Sequence, residues 1–322
     1  MFKYGDRMKK PLIILTGPTS VGKTKSSINL AKTINAEIIS ADSVQVYKQM
    51  DIGSAKITKE EMQGVPHHLI DVLEPNDAFH VERFKRMALE AMEQIYQNKR
   101  IPILVGGTGF YIQALLYDID FAQAKEDTVY RKELEELAQR HGVLYLHDML
   151  RSVDVLSAKT IHPNNTKRVI RALEYFKKTG MLLSKHNEVQ RQNTSPYNFV
   201  YFVLNDERDK LYTRINQRVD SMVNMGLIDE VKALKQNGFT RDLVSMQGIG
   251  YKEIYAYLEG ECSLDKAIEQ IKLDTRHFAK RQLTWFRREK DVEWVNKNDF
   301  AYDDEKILQY LLEIARERKI IQ

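Results

Sequence analysis

The chain has 322 residues, 43% of them hydrophobic, and a formal net charge of +4, which allows about two domains with real cores and names no partner by charge alone. Its one cysteine, Cys262, excludes an intramolecular disulfide and a cysteine-cluster zinc site, and suits a reducing cytoplasm. No apolar run approaches the ~20 residues of a membrane span, and the basic start MFKYGDRMKK lacks a signal peptide's apolar stretch and reads as a frayed arm.

The first predicted element is a buried strand, Leu12 to Leu15, followed by a glycine-bounded loop and a helix running to Ile34. The loop fits G-x-x-x-x-G-K-[ST], with Gly17, Gly22, Lys23 and Thr24 in the defining places. Its glycines let backbone N–H groups turn inward as an anion cradle, and the helix N-terminus adds its positive dipole end. The whole stretch, Gly17, Pro18, Thr19, Ser20, Val21, Gly22, Lys23 and Thr24, is therefore expected to hold a phosphorylated ligand. Lys23 brings a mobile cation to it, and Thr24 offers a hydroxyl to Mg²⁺. A second short strand, Ala36 to Ser40, leads into a polar segment carrying Asp42 and Asp51. Val65 to Asp71 reads as a turn entering a strand. Asn76 or Asp77 is expected to cap a helix from Phe79 to Asn98 with Phe84, Met87, Ala88, Ala91 and Ile95 on its buried face. A further strand, Ile101 to Val105, ends in Gly106-Gly107-Thr108-Gly109 and opens another helix. Strands alternating with helices in this rhythm predict a parallel α/β sheet, with ligands beyond the carboxyl ends of the strands. Asp42 and Thr108 follow two of those strands directly, so both should face the phosphate cradle. Asp42 stands where small-molecule kinases often grip the acceptor, or it simply caps its loop.

From Asp120 to about Ser195 only helical patterns remain, among them Val129 to Arg140, an apolar piece Leu144 to Leu150, and Asn164 to Lys178 with Val169, Ala172, Leu173 and Phe176 inward. Lys185 to Pro196 reads as a polar linker. Phe199 to Leu204 returns to strand character, and the last third reads as helices at 209–225, 227–237, 251–258, 264–290 and 305–319, with Gly226 and Gly238 as C-caps. The expected architecture is α/β: a P-loop NTPase-like parallel sheet flanked by helices, residues 1–120 and 198–322, interrupted by an all-helical insertion domain over 121–197. Two segments are basic, Asn164–Lys178 and Thr275–Lys290, the second interleaved with Phe278, Trp285 and Phe286. That composition fits a nucleic-acid surface and equally a solvated helix face. His67 and His68 lack a third ligand and read as structural or substrate-contacting.

Several segments between Pro11 and Arg288 together resemble the signatures of bacterial tRNA dimethylallyltransferases: GPTSVGKT, ADSVQVYKQMDIGSAK, VPHHLID, GGTGFY, IHPNNTKRVIRALE, RINQRVDSM, QGIGYKE and TRHFAKRQLTWFRR. The pairing of AKRQ-TWF with ADS-Q-YK is the specific part. The resemblance implies transfer of a dimethylallyl group from its diphosphate to the exocyclic amine of the adenosine 3′ of a tRNA anticodon. It implies Lys23, Thr24 with Mg²⁺, and Arg218 on the leaving diphosphate, and Asp42 as general base. It implies a flipped target base in a channel, with Asp42, Ser43, Val44, Gln45 and Thr108 beside it. Tyr130, Lys167, Arg168, Arg171, Gln247, Lys280 and Arg281 would touch tRNA, with the anticodon stem-loop and dimethylallyl diphosphate as partners. No membrane is involved, and a cytoplasmic monomer is expected. Expectations of nucleotide and ATP binding come from the P-loop alone. Two alternatives stay open on residues: an isopentenyltransferase acting on free adenine nucleotides, and a small-molecule kinase. Against the kinase, the 101–105 strand ends in glycine and threonine with no acid for Mg²⁺. A non-enzymatic RNA-binding protein is disfavoured by Lys23, Thr24 and Asp42 occurring together.

Overall fold

A computed structural model describes residues 9–120 and 128–322; the N-terminal arm before Lys9 and the expected start of the insertion at 121 lie outside the described residues. The backbone divides into two compact units, Met1–Leu116 with Pro196–Gln322, and Tyr117–Ser195.

The first unit is built on six parallel strands in the order β3-β2-β4-β1-β5-β6. The run PLIIL makes β1 (Lys10–Thr16) a central strand, because a continuous apolar segment can be covered on both faces. It pairs with β4 on one side and β5 on the other. The chain runs on through α1 (Lys23–Ile34), β2 (Glu37–Ser40), the one-turn α2 (Lys59–Met62), β3 (His67–His68), α3 (Val81–Gln97), β4 (Pro102–Gly106) and α4 (Gly109–Leu116). Leu12 to Leu15 are wholly inaccessible to solvent, and each such side chain contributes about 1.5–3 kcal/mol by its removal from water. Ile28, Leu30 and Ala31 of α1 join the core around Ile13 and Leu15. Phe84 of α3 is fully buried and stacks on Tyr111 of α4, with ring centroids 4.7 Å apart. The α3 cap is His80, whose Nδ1 accepts the Arg83 N–H, where Asn76 or Asp77 was expected. Asp77 instead accepts the Glu74 N–H in a turn of its own. On the inner face of α3 Met92 is buried, and Met87 is only half-buried.

The second unit holds α5 (Thr128–His141), α6 (Val143–Val153), α7 (Val155–Thr160), α8 (Thr166–Thr179) and α9 (Leu183–Gln190). Leu134, Leu146, Leu150, Val169 and Leu173 form a separate apolar core. Of the expected inner face of α8, Val169, Ala172 and Leu173 are buried, joined by Ile170 and Tyr175, while Phe176 is exposed. The polar stretch expected to be a linker begins in α9, a helix with no buried residue and so no periodicity to announce it.

Back in the first unit come β5 (Tyr197–Asn205), α10 (Arg208–Asn224), α11 (Leu227–Gln236), α12 (Tyr251–Leu258), α13 (Leu264–Phe286), β6 (Val292–Asn296) and α14 (Asp304–Glu317). Strand β6 is an element the sequence did not announce in this mostly helical third. It is a half-exposed edge strand entered through a turn at Asp291 (φ 56°), so its apolar run is short and flanked by charge. Gly226 (φ 103°) follows α10 and caps α11 as well, a position only glycine occupies without strain.

Candidate active site

The loop between β1 and α1 turns through left-handed backbone at Ser20 (φ 63°) and Gly22 (φ 103°). Gly17 is required for a different reason: a Cβ there would sit 2.3 Å from the Leu204 carbonyl oxygen of β5. Lys23 folds back on the loop, its Nζ donating to the carbonyls of Gly17 (3.0 Å) and Pro18 (2.9 Å). The Thr19 N–H donates to Gln282, and that of Val21 to Pro18 (3.4 Å). The N–H groups of Ser20, Gly22, Lys23 and Thr24 have no acceptor among the described residues, and Ser20 Oγ is buried without a partner. Open donors around a helix N-terminus are the chemistry an anion requires. Burial lowers the Lys23 ammonium to about 7, with Arg218 adding to the effect and Asp42 opposing it. The side chain keeps partial solvent exposure at its surface while protein crowds the charged end. Arg218, on α10, reaches the Thr19 hydroxyl at 3.5 Å. Arg218 is exposed as a residue, but desolvation of its charged end lowers its guanidinium from the ordinary value, against the carboxylates of Asp42 and Glu61. Two cations thus face a site with too little negative charge of its own to balance them.

Asp42 follows β2, next to β4 in the sheet, and its carboxylate favours the charged form of both cations. Its Oδ1 accepts the N–H groups of Val44 (2.8 Å) and Gln45 (3.2 Å), while Oδ2 has no hydrogen bond among the described residues. So the carboxylate caps its loop with one oxygen and keeps the other open. Thr108 lies alongside, its N–H on the Ala41 carbonyl at 3.4 Å and its hydroxyl without a partner among the described residues. Ser43 is exposed and Val44 half-buried. Gln45 spends its amide NH₂ on the carbonyls of Ser54 and Ala55, leaving only its oxygen for a ligand. Among the described residues no group of three or more His, Cys, Asp or Glu could hold a metal ion. A Mg²⁺ ion would rest on the exposed Thr24 hydroxyl and on ligand oxygens, which suits an ion that keeps several waters. His68 instead pairs with buried Glu37 (2.7 Å), and His67 with the Val65 carbonyl (2.8 Å).

The remaining sequence candidates fall in different places. Lys280 and Arg281 are exposed on α13, and Arg281 lies over the Phe278 ring. Trp285 packs on Gly109 and Phe110, and Phe286 is fully buried, so those aromatics belong to the fold. Gln247, in the 3₁₀ turn before α12, donates to the Arg241 carbonyl. It also lines an open depression of about 360 Å³ with Cys262 and Lys266; no residue of the phosphate loop lines it. In the helical unit Lys167, Arg168 and Arg171 are exposed on α8. Tyr130 lies under the Lys177 ammonium, 3.6 Å from ring centroid to Nζ, and packs on that unit's core.

Residues that local spacing did not reveal complete the site. Arg214 donates Nε–H to the Ser20 carbonyl (3.0 Å) and pairs with buried Asp206. Burial would raise the Asp206 carboxyl, but bonds from Arg214, Tyr302 and the Glu207 N–H outweigh it and hold it below its usual range. Lys297, just past β6, lies so close that a Cβ on Gly22 would be 3.3 Å from its Nζ. Glu230 accepts three consecutive N–H groups, Asp51, Ile52 and Gly53, and the Tyr251 hydroxyl, pinning the segment after Asp42.

Residues 45–289 match the family model described as IPP transferase. The chain is 61% identical over 313 residues, 97% of its length and all of the relative's, to a tRNA dimethylallyltransferase of Lachnoclostridium phytofermentans. Among solved structures it is similar to a tRNA isopentenylpyrophosphate transferase of Bacillus halodurans, with 47% identity, a TM-score of 0.73, and 97% of this chain and 98% of that one covered. It is also similar to a eukaryotic dimethylallyltransferase acting on tRNA, with 30% identity, a TM-score of 0.81, and coverage of 96% and 79%.

Proposed function

The chain belongs to the IPP transferase family and is a tRNA-prenylating enzyme, and from that premise we propose how its residues divide the work. The reaction moves a dimethylallyl group from its diphosphate onto the exocyclic 6-amino group of an adenosine, the one 3′ of the anticodon, turned out of its stack to reach the site. The bond from nitrogen to the allylic carbon forms, the carbon–oxygen bond to diphosphate breaks, and one amine proton leaves. No phosphoryl group moves. The observation that carries this reading is the pairing of a loop of open donors and two cations with a carboxylate that keeps one oxygen free.

The open N–H groups of Ser20, Gly22, Lys23 and Thr24 hold the diphosphate, and Lys23 and Arg218 balance the charge that grows as it departs. The Thr24 hydroxyl would hold Mg²⁺, which would supply further charge neutralisation. Asp42 is held in orientation by the Val44 and Gln45 N–H groups, and its free Oδ2 receives the amine proton. Thr108 and the side-chain amide oxygen of Gln45 line the acceptor side. Exposed Lys280, Arg281, Lys167, Arg168 and Arg171 take up RNA phosphates. A tRNA substrate supports a cytoplasmic enzyme; separately, among the described residues no helix is long and apolar enough to cross a membrane.

The test is incubation with dimethylallyl diphosphate, Mg²⁺ and unmodified tRNA, followed by nucleoside analysis, with AMP as rival acceptor. Prenylated adenosine in tRNA and none in AMP is expected. Modification of AMP alone would overturn the assignment of tRNA as acceptor.

A further inference from the structure

Gln282, near the end of α13, is only 5% exposed, and both ends of its amide are engaged. Oε1 accepts the Thr19 N–H at 2.9 Å, and Nε2 donates to the Gly107 carbonyl at 2.9 Å. The orientation of the amide is dictated by its partners, since the reverse would oppose donor to donor and acceptor to acceptor. The approach is so close that a Cβ on Gly107 would stand 2.0 Å from Nε2, so a side chain there would displace the Gln282 amide. Thr19 belongs to the loop of open donors. Gly107 directly precedes Thr108, whose N–H meets the Ala41 carbonyl beside Asp42. One buried side chain therefore spans the two halves of the site, and it takes the Thr19 N–H out of the set available to an anion.

We propose that Gln282 is a positioning residue that sets the register between the diphosphate-holding loop and the turn beside the proton-accepting carboxylate. This rests on the prenyl-transfer reading above. Direct attack by an amine needs the reacting atoms about 3–3.5 Å apart and aligned, and a misplacement of about 1 Å costs on the order of 10²-fold in rate. Neither substrate need touch Gln282 for its loss to be felt. Each half-site would still bind its own ligand, and the two would no longer be held in reacting geometry.

The experiment uses the full-length enzyme carrying Gln282→Met, which matches the length of the side chain without its hydrogen bonds. Gln282→Asn, which keeps the amide but is one methylene too short to reach both partners, is the second variant should the first fail to fold. Melting temperature reports folding, titration with inorganic diphosphate and Mg²⁺ reports the cradle, and titration with tRNA reports the acceptor side. The expected result is a fall in kcat of about 100-fold, with diphosphate and tRNA affinities within about threefold of the unsubstituted enzyme. A folded variant with kcat within about threefold of the original overturns the proposal, and so does a loss carried wholly by weaker diphosphate binding. Turnover of the unsubstituted enzyme in the same assay reports on the functional reading by itself, so a fault there is not mistaken for a fault here.

Discussion

At Lys23 the balance of burial, the Arg218 charge and the opposing Asp42 charge brings the ammonium to about 7, so near neutral pH this side chain is only partly charged. A diphosphate arriving beside it favours the charged form and raises that value again. Binding is then linked to proton uptake: diphosphate affinity should fall as pH rises above about 7, by up to tenfold per unit, until the bound-state value is passed. Isothermal titration in buffers of different ionisation enthalpy measures that uptake directly. Burial also pushes the Glu289 carboxyl, just past the end of α13, up to about 7; repeating the profile in Glu289→Gln separates the two groups. For stability the sign runs the other way. The folded value of Lys23 lies below the unfolded one, so its contribution is present in full above the ordinary lysine range and is lost as pH falls toward 7. At Asp42 one oxygen caps the loop and the other is open. Asp42→Asn keeps an acceptor for the Val44 and Gln45 N–H groups but cannot take a proton, so turnover should drop by about 10²–10⁴-fold with tRNA affinity nearly unchanged. Near-normal turnover in that variant would remove Asp42 from the role of base.

Among the elements, α13 joins two tasks on one helix: Gln282 is buried toward the loops, while Lys280 and Arg281 face solvent. Reversing those two charges should weaken tRNA binding and flatten its dependence on salt, by about 0.7–0.9 in log–log slope for each phosphate no longer neutralised. Filter binding across a salt series shows it, and an unchanged slope would take α13 off the RNA. The elements read most directly from sequence were those whose own residues carry the pattern, such as β1 with its unbroken apolar run and α1 opening on Gly22. Those that escaped lacked such a pattern. Strand β6 is half-exposed, and α9 buries nothing. The cap of α3 passed to His80 because Asp77 was already engaged in the preceding turn, a competition that propensity does not see.

For the molecule as a whole, the six-stranded sheet and the helical unit have separate apolar cores. Saturating inorganic diphosphate with Mg²⁺ should slow amide exchange in β1, α1 and the loop between them, leaving α5–α9 unaffected; at 100 times Kd the stabilisation is about 2.7 kcal/mol. Equal protection in the helical unit would show that the ligand is not confined to the loop. Within the sheet, Phe202→Ala in β5, where the ring is fully buried, should cost about 3–5 kcal/mol in denaturant unfolding. By itself the sequence determined the parallel α/β rhythm, the glycine-bounded loop between β1 and α1 and the acid after β2, because each is written in consecutive residues whose spacing is itself the physical requirement. Tertiary structure alone decided what holds that loop open. Gln282 meets Thr19 across 263 positions and Arg214 meets Ser20 across 194, and no local period records such a meeting. Hydrogen bonds between distant segments form only when packing of the intervening chain delivers both partners to one place.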